Sequence, residues 1–334
     1  MSYKVITCIN DIDYNQWVSL VFNSPTSSYF QSKACYDFYA SLSFMEPFVY
    51  AVKEKDILKG VIVGYLQKEN NTIKHYFTRR AIIPGGVLLS DDISEQALES
   101  LLTHCKNALL EKAIYIECRN YTDFSKYKNV FIQSGFNYTP HLNFHVDTSS
   151  LEIANKNLRK SRKRDIKTSI RDGAELICNP TFEEVRCWYE ILFDLYKTRI
   201  KTPLFPFEFF SKLFHSGIGI FLFVKYKDEI IGGTLCVGLS TKILYEWFAC
   251  GLDGKYKNIH PSTLATWSGI EYAATNSYLI FDMMGAGKPN EAYGVREFKA
   301  KFGGELVEHG RFLCVLHPLL YQIGKIGVKI VKKI

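Results

Sequence analysis

Two thirteen-residue segments of this chain are near copies of each other. Residues 48–60 read FVYAVKEKDILKG and residues 221–233 read FLFVKYKDEIIGG. Each is an apolar run ending in Val-Lys-x-Lys-Asp, followed by a second run that carries glycine. This is the pattern of a β-hairpin with a tight turn at Lys-Asp. A hairpin that recurs in the two halves of 334 residues constrains the fold strongly, because it predicts two related units.

The surrounding pattern supports two copies. In the first half a strand over 5–8 and helices over 14–22 and 33–42 precede the hairpin. A strand near 73–77, a helix over 94–111, a strand over 114–117, a helix over 124–134 and a strand over 137–146 follow it. In the second half a strand over 175–178 and helices over 182–198 and 206–214 come first. After the hairpin come a strand over 243–249, a helix over 262–275, a strand over 278–283, a helix over 295–302 and a strand over 311–316. The helices carry apolar residues at helical spacing, as in Leu98, Leu101, Leu102, Cys105 and Leu109. Several strands are near-continuous Ile, Leu, Val and Phe, so both sheet faces should be covered. The expected class is α/β (α+β), two tandem units of mixed sheet flanked by helices. The expected division is 1–150, 151–317 with a basic entry helix over 155–173, and a tail over 318–334.

Composition narrows the setting. Hydrophobic residues make up 47% of the chain, which supplies a core for each unit. Nine cysteines, none spaced Cys-x-x-Cys, argue for reduced thiols and against a disulfide framework or a zinc site. The N-terminal residues lack a signal-peptide layout, and no apolar run reaches the ~20 residues that span a bilayer. A cytoplasmic protein is expected, without a tightly bound cofactor or metal and without a DNA partner.

The net charge of +7 is concentrated. Residues 155–173, NKNLRKSRKRDIKTSIRDG, hold eight Lys/Arg against Asp165 and Asp172. Arg159, Lys160, Arg162 and Lys163 are candidate polyanion contacts, for tRNA, anionic lipid or a nucleotide-linked substrate. A solvated basic helix without a ligand is the plainer alternative. In the tail, Leu320, Ile323, Ile326, Ile330 and Ile334 recur at helical spacing among four lysines. This predicts an amphipathic helix that either docks on the protein or makes a peripheral contact with the inner membrane face.

The chemistry concentrates between residues 278 and 312, YLIFDMMGAGKPNEAYGVREFKAKFGGELVEHGRF. An apolar strand ends at Asp282, a mobile loop is expected next, and a short helix delivers Phe298-Lys299 before Gly303-Gly304. The loop GAGKPN is not a P-loop, since Pro289 stands where Ser or Thr is required. Zinc-protease and nucleophile-elbow motifs are absent. Lys299 could stabilise the oxyanion of an acyl transfer, or it could be a surface lysine. Asp282, at a strand's carboxyl end, could hold an amine or simply cap a turn. Arg199, Tyr245, Trp247, Tyr293 and Phe298 are candidate substrate contacts. Arg199 equally suits a helix C-terminus by its charge.

Two stretches carry a family resemblance. YEWFACGLDGKYKNIHPSTLATWSGIEYAATNSYLIFDMMGAG, with GVREFKAKFGG after it, resembles the closing segment of the FemABX aminoacyltransferases. Trp17, Ser24-Pro25 and Phe30-Gln31-Ser32 resemble that family's opening helix and F-Q-S turn. The resemblance implies two GNAT-like domains, an activity-bearing lysine at Lys299, and transfer of an amino acid from aminoacyl-tRNA to an amine of a cell-envelope precursor of peptidoglycan or polysaccharide. Acyl-CoA is the alternative donor, and a non-catalytic binding module is the alternative role. The GNAT pyrophosphate signature is missing, since KYKNIHPSTLATW stands in its place. The phosphate-binding lysine of some members is also missing, with Phe38 or Tyr39 there instead. Arg199 is the position that matches the second phosphate ligand.

Overall fold

The computed structural model describes residues 3–67 and 79–331, and the side chains of 327–331 lie outside that description. The chain divides into two compact units. One holds Met1–His141 with Glu308–Ile334, and the other holds Leu142–Val307.

The repeated hairpin is present in both. In the first unit β2 (Met45–Glu54) pairs antiparallel with β3 (Ile57–Gln67). In the second, β10 (Ile220–Tyr226) pairs with β11 (Glu229–Leu239). The turns match residue for residue. Lys55 and Asp56 have φ of 49° and 66°, and Lys227 and Asp228 have 49° and 64°. Two successive left-handed residues are the signature of the turn whose twist suits a hairpin. Each hairpin also has a register shift just before that turn, after Val52 and after Val224.

The first sheet runs β1-β2-β3-β4-β6-β15-β7, with β5 paired to β3. Its further strands are β1 (Tyr3–Ile6), β4 (Arg80–Gly85), β5 (Leu88–Leu89), β6 (Tyr115–Asn120), β7 (Asn137–Thr139) and β15 (Arg311–Val315). The second sheet runs β14-β8-β13-β12-β11-β10-β9, adding β8 (Leu142–Asp147), β9 (Ala174–Ile177), β12 (Ile243–Gly251), β13 (Ile280–Asp282) and β14 (Glu305–Glu308). The single strand expected over 137–146 is therefore two strands in different sheets. The strand at 311–315, expected in the second unit, lies between β6 and β7 of the first. The boundaries expected at 150 and 317 fall instead at 141/142 and 307/308. Local pattern announces a strand, but its sheet is set by distant partners. The strand expected near 73–77 lies outside the described residues.

The first core forms where helix α3 (Glu95–Leu109) presents Leu98, Leu101, Leu102, Cys105 and Leu109 to the sheet. Ser94 accepts from Ala97 N and caps it. The third strand of this unit is interrupted. β3 meets β4 only at Tyr65 and Leu66, and β5 only at Gly60 and Val61. Gly85 and Gly86 turn the chain between them at φ of 79° and 77°. The backbone freed there is bonded by the segment before helix α2 (Lys33–Ser41). Ser24 Oγ donates to Leu89 O at 2.6 Å, Thr26 Oγ1 donates to Val87 O at 3.0 Å, and Gln31 Nε2 donates to Gly85 O at 2.8 Å. A Cβ on Gly85 would stand 2.1 Å from Ser28 Oγ. The Phe30-Gln31-Ser32 motif thus seals a strand break.

In the second unit, helix α9 (Pro261–Thr275) is buried along most of its length against the sheet. Of the nine cysteines, Cys8, Cys178 and Cys187 are exposed and the other six are buried, all as free thiols.

Candidate active site

Strands β12 and β13 run parallel only over Ile243–Tyr245 and Ile280–Asp282. β13 ends there, while β12 continues to Gly251. The gap beyond a carboxyl strand end is where open sheets receive ligands. β12 is also bulged. Its register passes from Leu235↔Phe248 to Cys236↔Glu246, which leaves Trp247 as the extra residue. A bulge re-aims the side chains beside it and disrupts the ladder locally.

Asp282 is fully buried. Its carboxylate accepts from Asn143 Nδ2 at 2.7 Å and from the Met284 amide at 2.7 Å, and it lies 3.2 Å from His145 Nε2. Asn143 and His145 come from β8, the strand whose placement the sequence pattern misassigned. Asn143 Oδ1 in turn accepts from Gly285 N at 3.0 Å. Asp282 is thus fully engaged in shaping the loop that follows it.

Lys299 is buried, which corrects the reading of a surface lysine. It ends helix α10 (Gly294–Lys299) and donates to the carbonyls of Met283, Met284 and Gly285. An ammonium has three protons, and here each has an acceptor. Arg296, one turn earlier, donates to the carbonyls of Ala286, Lys288, Pro289 and Glu291. The loop expected to be mobile is therefore fastened to two cations. Gly303, at φ 81°, stops the helix, and a Cβ there would stand 2.1 Å from Asn157 O. Burial lowers the Lys299 pKa from the ordinary lysine range, while Glu246 and Asp282 oppose that shift.

Glu246 is the group that sequence reasoning left out of its candidates. It is buried on β12 beside the bulge, and its Oε1 has no hydrogen-bond partner. Burial pushes its pKa up to about 7, against the pull of Lys299 and a Thr266 hydrogen bond, with Asp282 adding to the rise. A lone acid in the apolar strand ILYEWFACG was the available signal. The cluster thus has two satisfied charges, Lys299 and Asp282, and one carboxyl with spare capacity near neutral pH. Such a group can accept a proton from an attacking amine.

The other candidates separate. Tyr245 is fully buried in the core of the second unit. Trp247 is half-buried, with its ring 5.0 Å from Phe209. Phe298 packs tilted against Phe302 at 5.3 Å, beneath the Arg162 guanidinium at 4.4 Å. Tyr293 is exposed on the loop before Lys299. Arg199 is exposed within a π-helical turn, Tyr196–Ile200. Tyr196, the first residue of that turn, lies close enough to Tyr293 to couple with it electrostatically. π turns concentrate at functional sites.

The basic segment is two helices, α5 (Leu151–Asn157) and α6 (Lys160–Arg171). Arg159, Lys160 and Lys163 are exposed, as expected of polyanion contacts. Arg162 is not. It is buried, donating to Thr263 Oγ1 at 2.9 Å and lying 3.4 Å from Asp165. The buried face of α6 is polar, Arg162, Asp165 and Ser169, because it meets the start of α9. Ser169 Oγ accepts from His260 N at 3.0 Å, and Asp253 accepts from Ser262 N at 3.1 Å. Among the described residues, no cluster of His, Cys, Asp or Glu suits a metal ion.

Comparison with known proteins agrees with this architecture. Residues 223–328 match the FemAB family. A crystal structure of FemX superposes with a TM-score of 0.72 at 14% identity, covering 97% of this chain and 99% of that one. The C-terminal domain of a putative lysylphosphatidylglycerol synthetase from Agrobacterium fabrum gives 0.60 at 10% identity, over 94% and 95% of the two chains. A tandem GNAT protein from the clavulanic acid biosynthesis pathway also gives 0.60 at 10% identity, over 94% and 99%. No curated protein matches this sequence at a significant level.

Proposed function

We propose that this chain, an acyltransferase of the FemAB family with two GNAT-like units, moves an aminoacyl group from aminoacyl-tRNA to an amine of a cell-envelope precursor. The observation that carries the choice of donor is the start of helix α9. A GNAT acyl-CoA enzyme binds pyrophosphate on bare amides there, because a helix N-terminus attracts anions. In this chain the Ser262 amide already bonds the Asp253 carboxylate, and Asp165 lies 3.4 Å from the Arg162 that reaches Thr263. A pyrophosphate would have to displace the Asp253 carboxylate from that amide. The exposed Arg159, Lys160 and Lys163 instead suit the phosphates of a tRNA, and Arg199 suits a phosphate of the acceptor.

The chemistry is aminolysis of an ester. The acceptor amine attacks the aminoacyl carbonyl, a C–N bond forms, and the C–O bond to the tRNA ribose breaks. The amine must lose a proton and the departing ribose oxygen must gain one. We assign both transfers to Glu246, which has an unpaired oxygen and a pKa near 7 and would take the amine proton and pass it to the ribose oxygen. Lys299 and Asp282 hold the loop that borders the reaction and set the field at Glu246. Lys299 supports catalysis by position and charge, since its protons are engaged by carbonyls.

The test is a transfer assay with envelope extract and donors labelled on the acyl group. Label should pass from aminoacyl-tRNA and not from acyl-CoA. Transfer from acyl-CoA alone would refute the donor assignment.

A further inference from the structure

The C-terminal helix α11 (Pro318–Val331) belongs to the first unit and has two different faces. One is attached. Tyr321 meets Tyr115 of β6 edge-on at 5.3 Å, and His317 bonds the Leu110 carbonyl at 2.6 Å just before the helix. The other face is apolar and uncovered. Leu319, Ile323 and Ile326 are 82%, 52% and 59% exposed. Their spacing of four and three residues stacks them on one side of a helix. At about 100° per residue, Tyr321 falls on the far side from Leu319, so attachment aims the stripe outward. The expected packing of this segment onto the protein is seen at Tyr321 and His317 and not at these three residues.

The charge of the segment selects what covers the stripe. Residues 318–334 contain four lysines and no acid. A second copy of the segment would bring its own lysines against these, so pairing of like segments is opposed. An anionic bilayer surface complements both properties, because apolar side chains enter the acyl boundary while lysines stay at the headgroups. No described helix is long and apolar enough to cross a membrane, which leaves lying on the surface as the mode.

We propose that α11 docks this protein on anionic lipid bilayers through Leu319, Ile323 and Ile326. Docking of this kind would bring the enzyme to acceptors presented at the membrane surface. It is independent of the donor and of the catalytic assignment, and its test uses neither substrate.

Full-length protein is sedimented with vesicles of phosphatidylcholine alone and of phosphatidylcholine mixed with phosphatidylglycerol. The expected result is at least about tenfold stronger partition onto the mixed vesicles, weakened by salt. Leu319→Ser/Ile323→Ser/Ile326→Ser should lose at least about tenfold of that partition with its melting temperature unchanged, since the three residues are exposed. Lys325→Glu/Lys329→Glu, which leaves the stripe intact, should abolish the preference for anionic lipid. Equal sedimentation of the triple-serine variant and the parent would overturn the proposal. So would a parent that binds neither vesicle, or one that dimerises through the stripe by equilibrium ultracentrifugation while ignoring lipid.

Discussion

The two units share a hairpin down to its turn angles, yet they treat the strand that follows it differently. In the first, the interrupted strand at Gly85-Gly86 is bonded by Ser24, Thr26 and Gln31. In the second, the corresponding strand β12 stays continuous and carries a bulge at Trp247 beside a buried acid. Half-buried Glu117 of the first unit and buried Glu246 of the second differ in the same sense. Burial alone would raise the pKa of Glu117, but Arg119 and Arg311 outweigh it and hold it at about 2. Glu246 lacks a partner on one oxygen and rises to about 7. Glu117 is held by two arginines, whereas Glu246 keeps an unpaired oxygen, a feature common at working sites.

The largest effect that could break this contrast is at Glu246. Glu246→Gln should lower kcat by roughly 100- to 10,000-fold, the range for losing a general base. It should also stabilise the fold at alkaline pH. A carboxyl with its folded pKa raised from 4.5 to about 7 binds protons more tightly when folded. Its penalty is absent below the unfolded value and grows as pH rises to 7, reaching about 3 kcal/mol. Melting curves at pH 5 and pH 8 check this, with the variant gaining much more on the parent at pH 8 than at pH 5. Next comes Lys299→Met. A surface lysine would make this change neutral for folding, but here three carbonyls and two carboxylates would lose their cation. A loss of about 3–5 kcal/mol in urea unfolding is expected.

In the first unit, Gln31→Ala should cost about 1–3 kcal/mol by leaving the Gly85 carbonyl and the Ser28 amide without their side-chain partner. Because the Gln31 side chain bonds Ser28 and Gly85 and none of the groups around Glu246, the shape of the pH–rate profile should not change. The smallest effect on stability is expected from charge reversal at Arg159, Lys160 and Lys163, within about 0.5 kcal/mol. The same variant should bind tRNA more weakly and with a flatter salt dependence. Unchanged binding in a low-salt filter assay would remove these residues from the tRNA surface.

Much of this was legible in the sequence. The repeat VK-x-KD gave both hairpins, and helix periodicity placed α3 and α9 to within a few residues. Strand exchange between the sheets was not legible, because residues 137–147 and 311–315 look like strands whichever sheet receives them. At the site, the pattern picked Asp282 and Lys299 but missed their burial. A lysine beside Gly303-Gly304 on a short helix has the signature of a surface residue, and only the inward carbonyls of 283–285 explain why it is not one. Arg162 misled in the same way. Its neighbours are solvent cations, while its own guanidinium lies over Phe298 and Phe302. Glu246 needed the opposite inference, from an acid in an apolar strand to a buried carboxyl with an unpaired oxygen.

The central claim is that Glu246 is the titrating base of the second unit. The direct measurement is the pH dependence of kcat/KM for aminoacyl transfer in the parent and in Glu246→Gln. The parent should rise through pH 7 to a plateau, as the carboxyl loses its proton, and the variant should lack that step. A parent profile that is flat between pH 5 and pH 8, or a variant that keeps the step, would contradict the account.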